Sequence, residues 1–261
     1  MNAIADMETP METTETFALG GRVRCLQPAH GYRTAVDAVL VAAAVPALAG
    51  ERVLDVGTGV GASAFCLAAR VDGVQVVGLE LQPALAALAD QGIEMNGFKG
   101  RVSVVSGDLL EPPPELADAA FDHIMTNPPY APAGTGRPSP DPMKATAMVE
   151  GRARLADWIR FCVDAVKPGG SITMIHRADR QDEVVDGFTR EHCRTQEVLP
   201  VVPKSGRAAK RVIVRARKAA DEDITIHPAL VLHVDEDGDG GHRAGYTAAA
   251  EAVLRDAQSL L

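Results

Sequence analysis

Short runs of apolar and β-branched residues alternate with longer amphipathic segments through most of this chain. The runs predict strands at 52–56, 74–79, 102–106, 121–126, 171–175, 196–202 and 211–216. The segments between the first six runs predict helices at 60–70, 83–95, 113–118, 151–166 and 179–191. Because a strand, a helix and the next parallel strand are joined by a right-handed crossover, this alternation predicts a doubly wound α/β fold with a mostly parallel sheet.

The two ends of the chain depart from this alternation. Residues 1–16 are polar and acidic without periodicity, which is typical of a disordered tail. Residues 17–50 predict an extension with a strand from Arg22 to Gln27 and an apolar helix beginning near Val36. We expect a single domain over residues 17–261.

Within that domain, residues 51–218 form the predicted Rossmann-like core and residues 219–261 an appendage. The appendage predicts a strand pair at 224–234 and a final helix near 247–259. Only a short basic loop separates the last two strands of the core, which predicts an antiparallel hairpin at the sheet edge.

Composition narrows the class of protein. The four cysteines, Cys25, Cys66, Cys162 and Cys193, have no CxxC spacing, which argues against a disulfide framework or a metal site and favours a cytoplasmic location. The apolar run from Val36 to Ala49 is too short to cross a bilayer, so we expect no membrane association. The net charge of −9 by itself argues against a nucleic-acid partner.

A glycine-rich turn follows the first core strand. Gly57, Gly59 and Gly61 have the spacing GxGxG, and Asp55 precedes the first of them by two residues. Glycines let the backbone turn tightly and approach a ligand closely. A carboxylate at Asp55 would repel a pyrophosphate but suits a ligand with an ammonium group, which favours S-adenosylmethionine (SAM) over a nicotinamide dinucleotide.

Acidic residues end the next two predicted strands. Glu80 closes the second strand and is placed to accept from ribose hydroxyls, and Asp108 follows the third and is placed to accept from an adenine amino group. Either acid alone is also compatible with a solvated strand end. Because ligands of open α/β sheets bind at the carboxyl ends of the strands, the three acids together indicate a nucleoside-containing cofactor.

The fourth strand runs into Asn127, Pro128, Pro129 and Tyr130. The prolines hold this turn rigid and remove backbone donors. The side-chain oxygen of Asn127 and the carbonyl of Pro128 can then accept both N–H groups of a conjugated amino group, and Tyr130 can stack on the planar acceptor. Such a site works by orientation without a strong base.

These motifs resemble the class I SAM-dependent methyltransferases that modify exocyclic or amide nitrogens. The segment from Gln27 to Pro46 is more narrowly similar to the tRNA1(Val) (adenine-N6)-methyltransferase family. This resemblance implies a seven-stranded Rossmann-like sheet, SAM as methyl donor with S-adenosylhomocysteine as product, and an adenine of tRNA as acceptor. It implies catalytic roles for Asn127, Pro128, Pro129 and Tyr130. The implied cofactor-binding residues are Asp37, Asp55, Gly57, Thr58, Gly59, Gly61, Glu80, Leu81, Asp108, Leu109 and Asn127. The alternative for Asp37 is a helix N-cap.

Residues 204–218 carry seven bases and no acid, which qualifies the meaning of the net charge. Eleven of the 35 acids lie in residues 1–16 and 221–239, leaving 24 acids against 26 bases elsewhere. The stretch predicts a phosphate-contacting face made by Lys204, Lys210 and three arginines, Arg207, Arg211 and Arg215. The alternative is an edge strand whose outward charges prevent aggregation.

Several alternatives stay open at this stage. The Asn-Pro-Pro-Tyr turn also suits rRNA base methyltransferases and protein glutamine-N5 methyltransferases, and the long loop from Ala131 to Ala147 is of the kind that sets substrate choice. A SAM-binding protein that associates with RNA without catalysis, and an NAD-dependent oxidoreductase, are further alternatives. Trp158, with Leu155 and Ile159 on one helical face, is expected to pack in the core.

Overall fold

The computed structural model describes residues 11–31, 33–117, 120–132, 134, 142–219, 223–234 and 245–261. The strands are β1 (Thr13–Ala18), β2 (Val23–Pro28), β3 (Arg52–Val56), β4 (Gln75–Glu80), β5 (Val102–Ser106), β6 (Phe121–Thr126), β7 (Val166–Arg177), β8 (Cys193–Val202), β9 (Arg211–Lys218), β10 (Thr225–Ile226) and β11 (Leu230–Val231). The helices are α1 (Val36–Ala44), α2 (Ala62–Arg70), α3 (Pro83–Asn96), α4 (Pro114–Ala117), α5 (Pro142–Met148), α6 (Leu155–Ala165), α7 (Gln181–Arg190) and α8 (Ala248–Leu254).

The central sheet has the strand order β10, β8, β9, β7, β6, β3, β4, β5, and β11 also pairs with β8. All of its pairings are parallel except those that β9 makes with β7 and β8. The strands β3 to β9 provide the predicted seven strands, and the two-residue strands β10 and β11 extend the sheet. The predicted α/β fold with a mostly parallel sheet is confirmed.

Helices cover both faces of this sheet, because adjacent residues of a strand point to opposite sides. Met125 of β6 and Ile213 of β9 join one buried cluster, to which α1, α2, α3 and α8 contribute. Their neighbours Ile124 and Val212 join a second cluster, to which α6 and α7 contribute. The strands are apolar on both faces, as expected for a buried parallel sheet.

The predicted disordered tail is wrong at its carboxyl end. Residues 1–10 lie outside the described part of the chain, but Thr13–Ala18 form β1, which pairs antiparallel with β2. The side chains of β1 are mostly exposed, so no alternation of apolar residues marks the strand. Its backbone hydrogen bonds with β2 define it, and these depend on the partner strand.

The predicted strand pair at 224–234 is also corrected. β10 and β11 do not pair with each other, because both run parallel to β8 along its outer edge. Pro228 has no N–H group and separates the two short strands. The backbone amides of His227 and Leu232 continue the contact by donating to carbonyls of β8. This segment therefore covers an edge that would otherwise expose unpaired backbone groups.

The antiparallel pairing of β8 and β9 is confirmed, but β9 lies between β7 and β8. The explanation of the basic stretch as an edge strand is therefore wrong. Arg215 forms an ion pair with Glu197 of β8 and donates to the Ala44 carbonyl at 3.0 Å. Arg217 donates to Gln196 at 3.2 Å, and Lys218 donates to two backbone carbonyls at the end of α6, those of Val163 and Val166. These bases connect β9 to β8 and to the ends of α1 and α6.

Substituting Gly92 of α3 by alanine tests how closely the core is packed around this position. A Cβ atom at this position would lie 2.5 Å from Cε2 and 2.7 Å from Cζ of Phe65, which is fully buried. Replacing a helical glycine by alanine ordinarily stabilises by up to ~1 kcal/mol, but overpacking costs about 1–3 kcal/mol. We expect Gly92→Ala to lower the free energy of unfolding by about 1–2 kcal/mol in urea denaturation.

Gly187→Ala in α7 is the matched control, because its Cβ would meet only the terminal Cδ1 atom of Ile159 closely. An aliphatic terminus changes rotamer more easily than a buried ring, so the loss should be smaller. Equal stabilisation by the two alanines would contradict the packing described here.

Candidate active site

A cavity of about 380 Å³ opens at the carboxyl ends of the parallel strands. The turns after β3, β4, β5 and β6 contribute Gly57 to Gly59, Glu80 to Gln82, Gly107 to Leu109, and Asn127 to Tyr130. Residues before and within α1, the first turn of α2, the end of α5, Trp158 and Arg211 also line the cavity. The cavity thus brings the glycine turn and the Asn-Pro-Pro-Tyr turn to one space.

The turn between β3 and α2 depends on its three glycines. Gly57, Gly59 and Gly61 all have positive φ angles, of 73°, 59° and 84°, which residues with a side chain rarely adopt. A Cβ atom at Gly57 would lie 2.6 Å from Cη2 of Trp158. The backbone amides of Gly57 and Thr58 donate to the Leu79 carbonyl at 2.8 and 3.0 Å, which ties the turn to β4.

Asp55 lies beneath this turn and does not line the cavity. Its Oδ2 atom accepts from the Thr58 hydroxyl at 2.6 Å, and its carboxylate accepts from the amide of Ala64 at the start of α2. Burial raises the pKa of Asp55 to about 7 against the opposing effect of these hydrogen bonds. In the structure these hydrogen bonds support the glycine turn, and the contact of Asp55 with a ligand ammonium stays a prediction.

Glu80 and Asp108 both line the cavity. Glu80 is buried, and its two oxygens accept from the amides of Gly59 and Gln82 at 2.8 Å each. Burial raises the pKa of Glu80, while these backbone donors favour its ionised form. Asp108 accepts from the Leu110 amide at 2.9 Å and lies 3.6 Å from Nη1 of Arg152.

Asn127 carries an unsatisfied acceptor into this cavity. Its Oδ1 atom is buried and has no hydrogen-bond partner among the described residues. The preceding residue, Thr126, donates its hydroxyl to the Val56 carbonyl at 2.9 Å and so fixes the end of β6 against the end of β3. Because buried polar atoms are almost always hydrogen-bonded in folded proteins, Asn127 Oδ1 is a place for a ligand N–H group.

Tyr130 is held on several sides. Its hydroxyl donates to Asp37 Oδ2 at 2.7 Å, the guanidinium of Arg211 lies 4.4 Å from its ring centroid, and the ring of His176 meets it edge-on at 5.3 Å. Asp37 is therefore a partner of Tyr130, and the N-cap alternative is wrong because Ala35 occupies the N-cap position of α1.

The backbone after Tyr130 is fixed by a largely buried ion pair. Arg180 donates to the carboxylate of Glu150 at 2.6 Å and to the Tyr130 carbonyl at 3.4 Å. The side chains of Arg180 and Glu150 are 10% and 6% exposed. Ala131 also exchanges backbone hydrogen bonds with Met148 and Glu150. The two ends of the loop predicted to set substrate choice are thereby joined at its base.

Some cavity residues were not found by sequence reasoning. The hydroxyl oxygen of Thr34 is buried without a partner among the described residues, and Thr34 lines the cavity. Trp158 was expected in the core, but it is half-buried and lines the cavity against Gly57. One feature of the sequence could have identified Thr34: it lies next to the helix that carries Asp37.

Most of the predicted site residues meet at the cavity. Its wall includes all four predicted catalytic residues and nine of the predicted cofactor residues, namely Asp37, Gly57, Thr58, Gly59, Glu80, Leu81, Asp108, Leu109 and Asn127. Asp55 and Gly61 lie outside it, and a Cβ atom at Gly61 would collide with Phe65 at 2.5 Å. Of the five basic residues predicted to bind RNA, only Arg211 lines it.

The described residues form neither a membrane-spanning helix nor a cluster of metal ligands. No helix among them has the length and apolar character needed to pass through a bilayer. They also contain no group of three or more histidine, cysteine or acidic side chains arranged to hold a metal ion.

The pKa of Asp55 predicts a pH-dependent stability. The folded protein keeps a proton on Asp55 up to about pH 7, whereas the unfolded chain releases it near pH 4. The stabilisation is fully present below the unfolded pKa and is lost as the pH rises through 7. We expect Asp55→Asn to gain about 2 kcal/mol in unfolding free energy relative to the wild type between pH 5 and 8, measured by urea denaturation. A difference that stays constant over this range would contradict the raised pKa.

Comparison with known proteins agrees with this geometry. Residues 35–139 match the family described as methyltransferase small domain. A tRNA1(Val) (adenine(37)-N6)-methyltransferase of Bacteroides thetaiotaomicron is 28% identical over 183 residues, covering 70% of this chain and 75% of the relative. A release factor glutamine methyltransferase of Geobacter sulfurreducens is 34% identical over 145 residues, covering 53% of this chain and 49% of the relative.

Solved structures support the fold. The crystal structure of a predicted O-methyltransferase from Agrobacterium tumefaciens has a TM-score of 0.67 and 24% identity, and the match covers 86% of this chain and 98% of that protein. The chain therefore has the Rossmann-like α/β fold of this methyltransferase structure. The family match and the aligned relatives confirm the resemblance to the tRNA1(Val) (adenine-N6)-methyltransferases stated from the sequence.

Proposed function

We propose that this protein transfers a methyl group from SAM to the exocyclic N6 atom of an adenine in tRNA. The observation that carries the proposal is the buried, unpartnered Oδ1 atom of Asn127, which lines one cavity with the glycine turn. An exocyclic amino group supplies the N–H donor that this acceptor lacks.

The residues present fit SAM. Glu80 and Asp108 offer carboxylates to ribose hydroxyls and an adenine amino group, and Leu81, which is 54% exposed, offers an apolar surface to the adenine. The unpartnered hydroxyl of Thr34 adds a polar group to the same cavity. When bound, SAM supplies the electrophilic methyl group of its sulfonium.

The acceptor turn prepares the nucleophile by orientation. An amino group conjugated to a purine is a weak nucleophile because its lone pair is delocalised into the ring. Asn127 Oδ1 and the Pro128 carbonyl accept its two N–H hydrogens, which favours a pyramidal nitrogen with its lone pair turned to the methyl donor. Pro129 keeps this turn rigid, so little reorganisation accompanies the reaction.

The choice of adenine in tRNA is supported by the relatives. Several tRNA1(Val) (adenine(37)-N6)-methyltransferases align with about 70% of this chain. The glutamine methyltransferase has the higher identity but spans about half of each protein. A planar amide of a release factor or an rRNA base would present the same N–H geometry, so these acceptors are the alternatives.

The loop between β8 and β9 supports an RNA acceptor. Arg211, the first residue of β9, pairs with Arg177, the last residue of β7, so this loop lies at the carboxyl edge of the sheet with the cavity. Arg207 and Lys210 are exposed there, and Lys204 is half-buried. None of these three forms an ion pair with a described acid. We therefore assign phosphate contacts to this loop and not to Arg215.

The role of Asn127 is tested by Asn127→Ala. We expect a loss of about 100-fold or more in kcat, because an acceptor that orients the reacting nitrogen is removed. SAM affinity, followed by the fluorescence of Trp158, the only tryptophan of the chain, should change less than about threefold.

The control is Gln91→Ala, which removes an exposed amide that bonds only to the Ala87 carbonyl within α3. This variant should keep wild-type rates. Unchanged methyl transfer by Asn127→Ala would rule out the mechanism described above.

The acceptor itself is identified by incubating the protein with radiolabelled SAM and separate pools of tRNA, rRNA and release factor. We expect label in tRNA, recovered as N6-methyladenosine after digestion to nucleosides. Label confined to the release factor would overturn the choice of RNA in favour of glutamine.

The basic loop is tested by the triple variant Lys204→Gln, Arg207→Gln and Lys210→Gln. Losing three phosphate contacts should raise KM for tRNA with little change in kcat. The slope of log KM against log salt concentration should decrease by about 2 to 3. Lys99→Gln, at the amino end of β5 on the opposite edge of the sheet, is the control. An unchanged KM would leave the loop without a role in RNA binding.

A further inference from the structure

Asp37, Tyr130 and Arg211 form one cluster on the cavity wall, although they belong to three distant parts of the chain. Asp37 lies in the first turn of α1, Tyr130 follows β6, and Arg211 begins β9. The Tyr130 hydroxyl and Nε of Arg211 both donate to Oδ2 of Asp37, at 2.7 and 3.0 Å. The same guanidinium lies over the Tyr130 ring at 4.4 Å.

The cluster is largely removed from solvent. Asp37 is 7% exposed, and Arg211 compensates the charge of its carboxylate, while Tyr130 adds a second hydrogen bond. Burial and the neighbouring Asp37 raise the pKa of Tyr130, so its phenol stays protonated and donates. The hydroxyl of Tyr130 is thereby used for fixing the ring and is not available as a base.

The other sides of Tyr130 are also occupied. The ring of His176 packs against Tyr130 in a T-shaped arrangement, and burial lowers the pKa of His176 to about 4, so it packs as a neutral ring at physiological pH. Arg180 donates to the Tyr130 carbonyl. Because the Arg211 guanidinium lies over one face of the ring, that face is closed to a planar acceptor.

We propose that Asp37 and Arg211 are positioning residues that fix the plane of Tyr130 and leave one of its faces for the acceptor base beside Asn127. This assignment moves Arg211 from contact with RNA phosphate to support of the reacting centre, and Asp37 from the cofactor to the acceptor side. It rests on the proposed function only in that Tyr130 receives the planar group that is methylated.

A phosphate contact by Arg211 predicts different behaviour. Phosphate recognition needs mainly a positive charge, so Arg211→Lys would retain activity. Positioning needs a planar guanidinium that stacks on the ring while Nε reaches Asp37, which lysine cannot reproduce. We expect Arg211→Lys and Arg211→Gln to lower kcat by a similar factor of about 10, with a smaller change in KM.

The link through the Tyr130 hydroxyl is tested by a double-mutant cycle. Asp37→Asn and Tyr130→Phe should each lower kcat by about tenfold, because each weakens the bond that fixes the ring. In the Tyr130→Phe background, Asp37→Asn should cost about threefold or less, since one of the two hydrogen bonds that Asp37 accepts is already absent. Fully multiplicative losses would overturn the proposal, as would full activity of Arg211→Lys.

Arg217→Gln is the matched control, because Arg217 lies on the same strand, donates to Gln196 and does not line the cavity. Unfolding midpoints of all variants separate loss of positioning from loss of folding, and Arg211→Lys keeps the positive charge that Arg211→Gln removes. The cycle is run on whichever pool the wild type labels. Label in release factor would contradict the tRNA proposal while leaving the coupling between Asp37 and Tyr130 measurable.

Discussion

The parallel pairing of β3 with β6 is the constraint on which the site depends. The two strands are adjacent at the centre of the sheet, with Val56 opposite Thr126. Their carboxyl ends therefore place the glycine turn beside the Asn-Pro-Pro-Tyr turn, although about 70 residues separate them. The hydrogen bond from the Thr126 hydroxyl to the Val56 carbonyl holds this register where the two turns begin. A shift of one residue would turn Asn127 away from the cavity.

Buried carboxylates then stabilise the turns that this pairing brings together. Asp55 supports the glycine turn from below, Glu80 binds it from β4, and Asp37 holds Tyr130 on the opposite wall. Each accepts hydrogen bonds from neighbouring groups, so the site is shaped before any ligand arrives. The carboxylates of Glu80 and Asp108 on the cavity wall suit a donor that carries a sulfonium and an ammonium group.

The sequence predicted the parts of this arrangement that local patterns encode. The bounds of β3, β5 and β6 agree with the predicted runs, because apolar strands ended by glycine, proline or acid are locally distinct. The polar support of the site was not predicted. The contacts of Arg211 with Asp37 and of Arg180 with Glu150 join residues that are distant in the chain, and no spacing rule marks such partners. The strand β1 was missed for a related reason, since its partner and not its composition defines it.

The basic stretch shows how position in the sheet changes the meaning of charge. From sequence alone, the bases of residues 204–218 were one candidate RNA-binding face. β9 starts at the cavity and runs away from it between β7 and β8. The contacts of each base therefore depend on its position along the strand. Arg211 lines the cavity and binds Asp37, whereas Arg215 and Lys218 donate to backbone carbonyls. The bases of the loop before β9 form no ion pair with a described acid and are exposed or half-buried. A net charge of −9 is therefore compatible with RNA as substrate, because the contact requires few bases if they stand at the edge where the acceptor base enters.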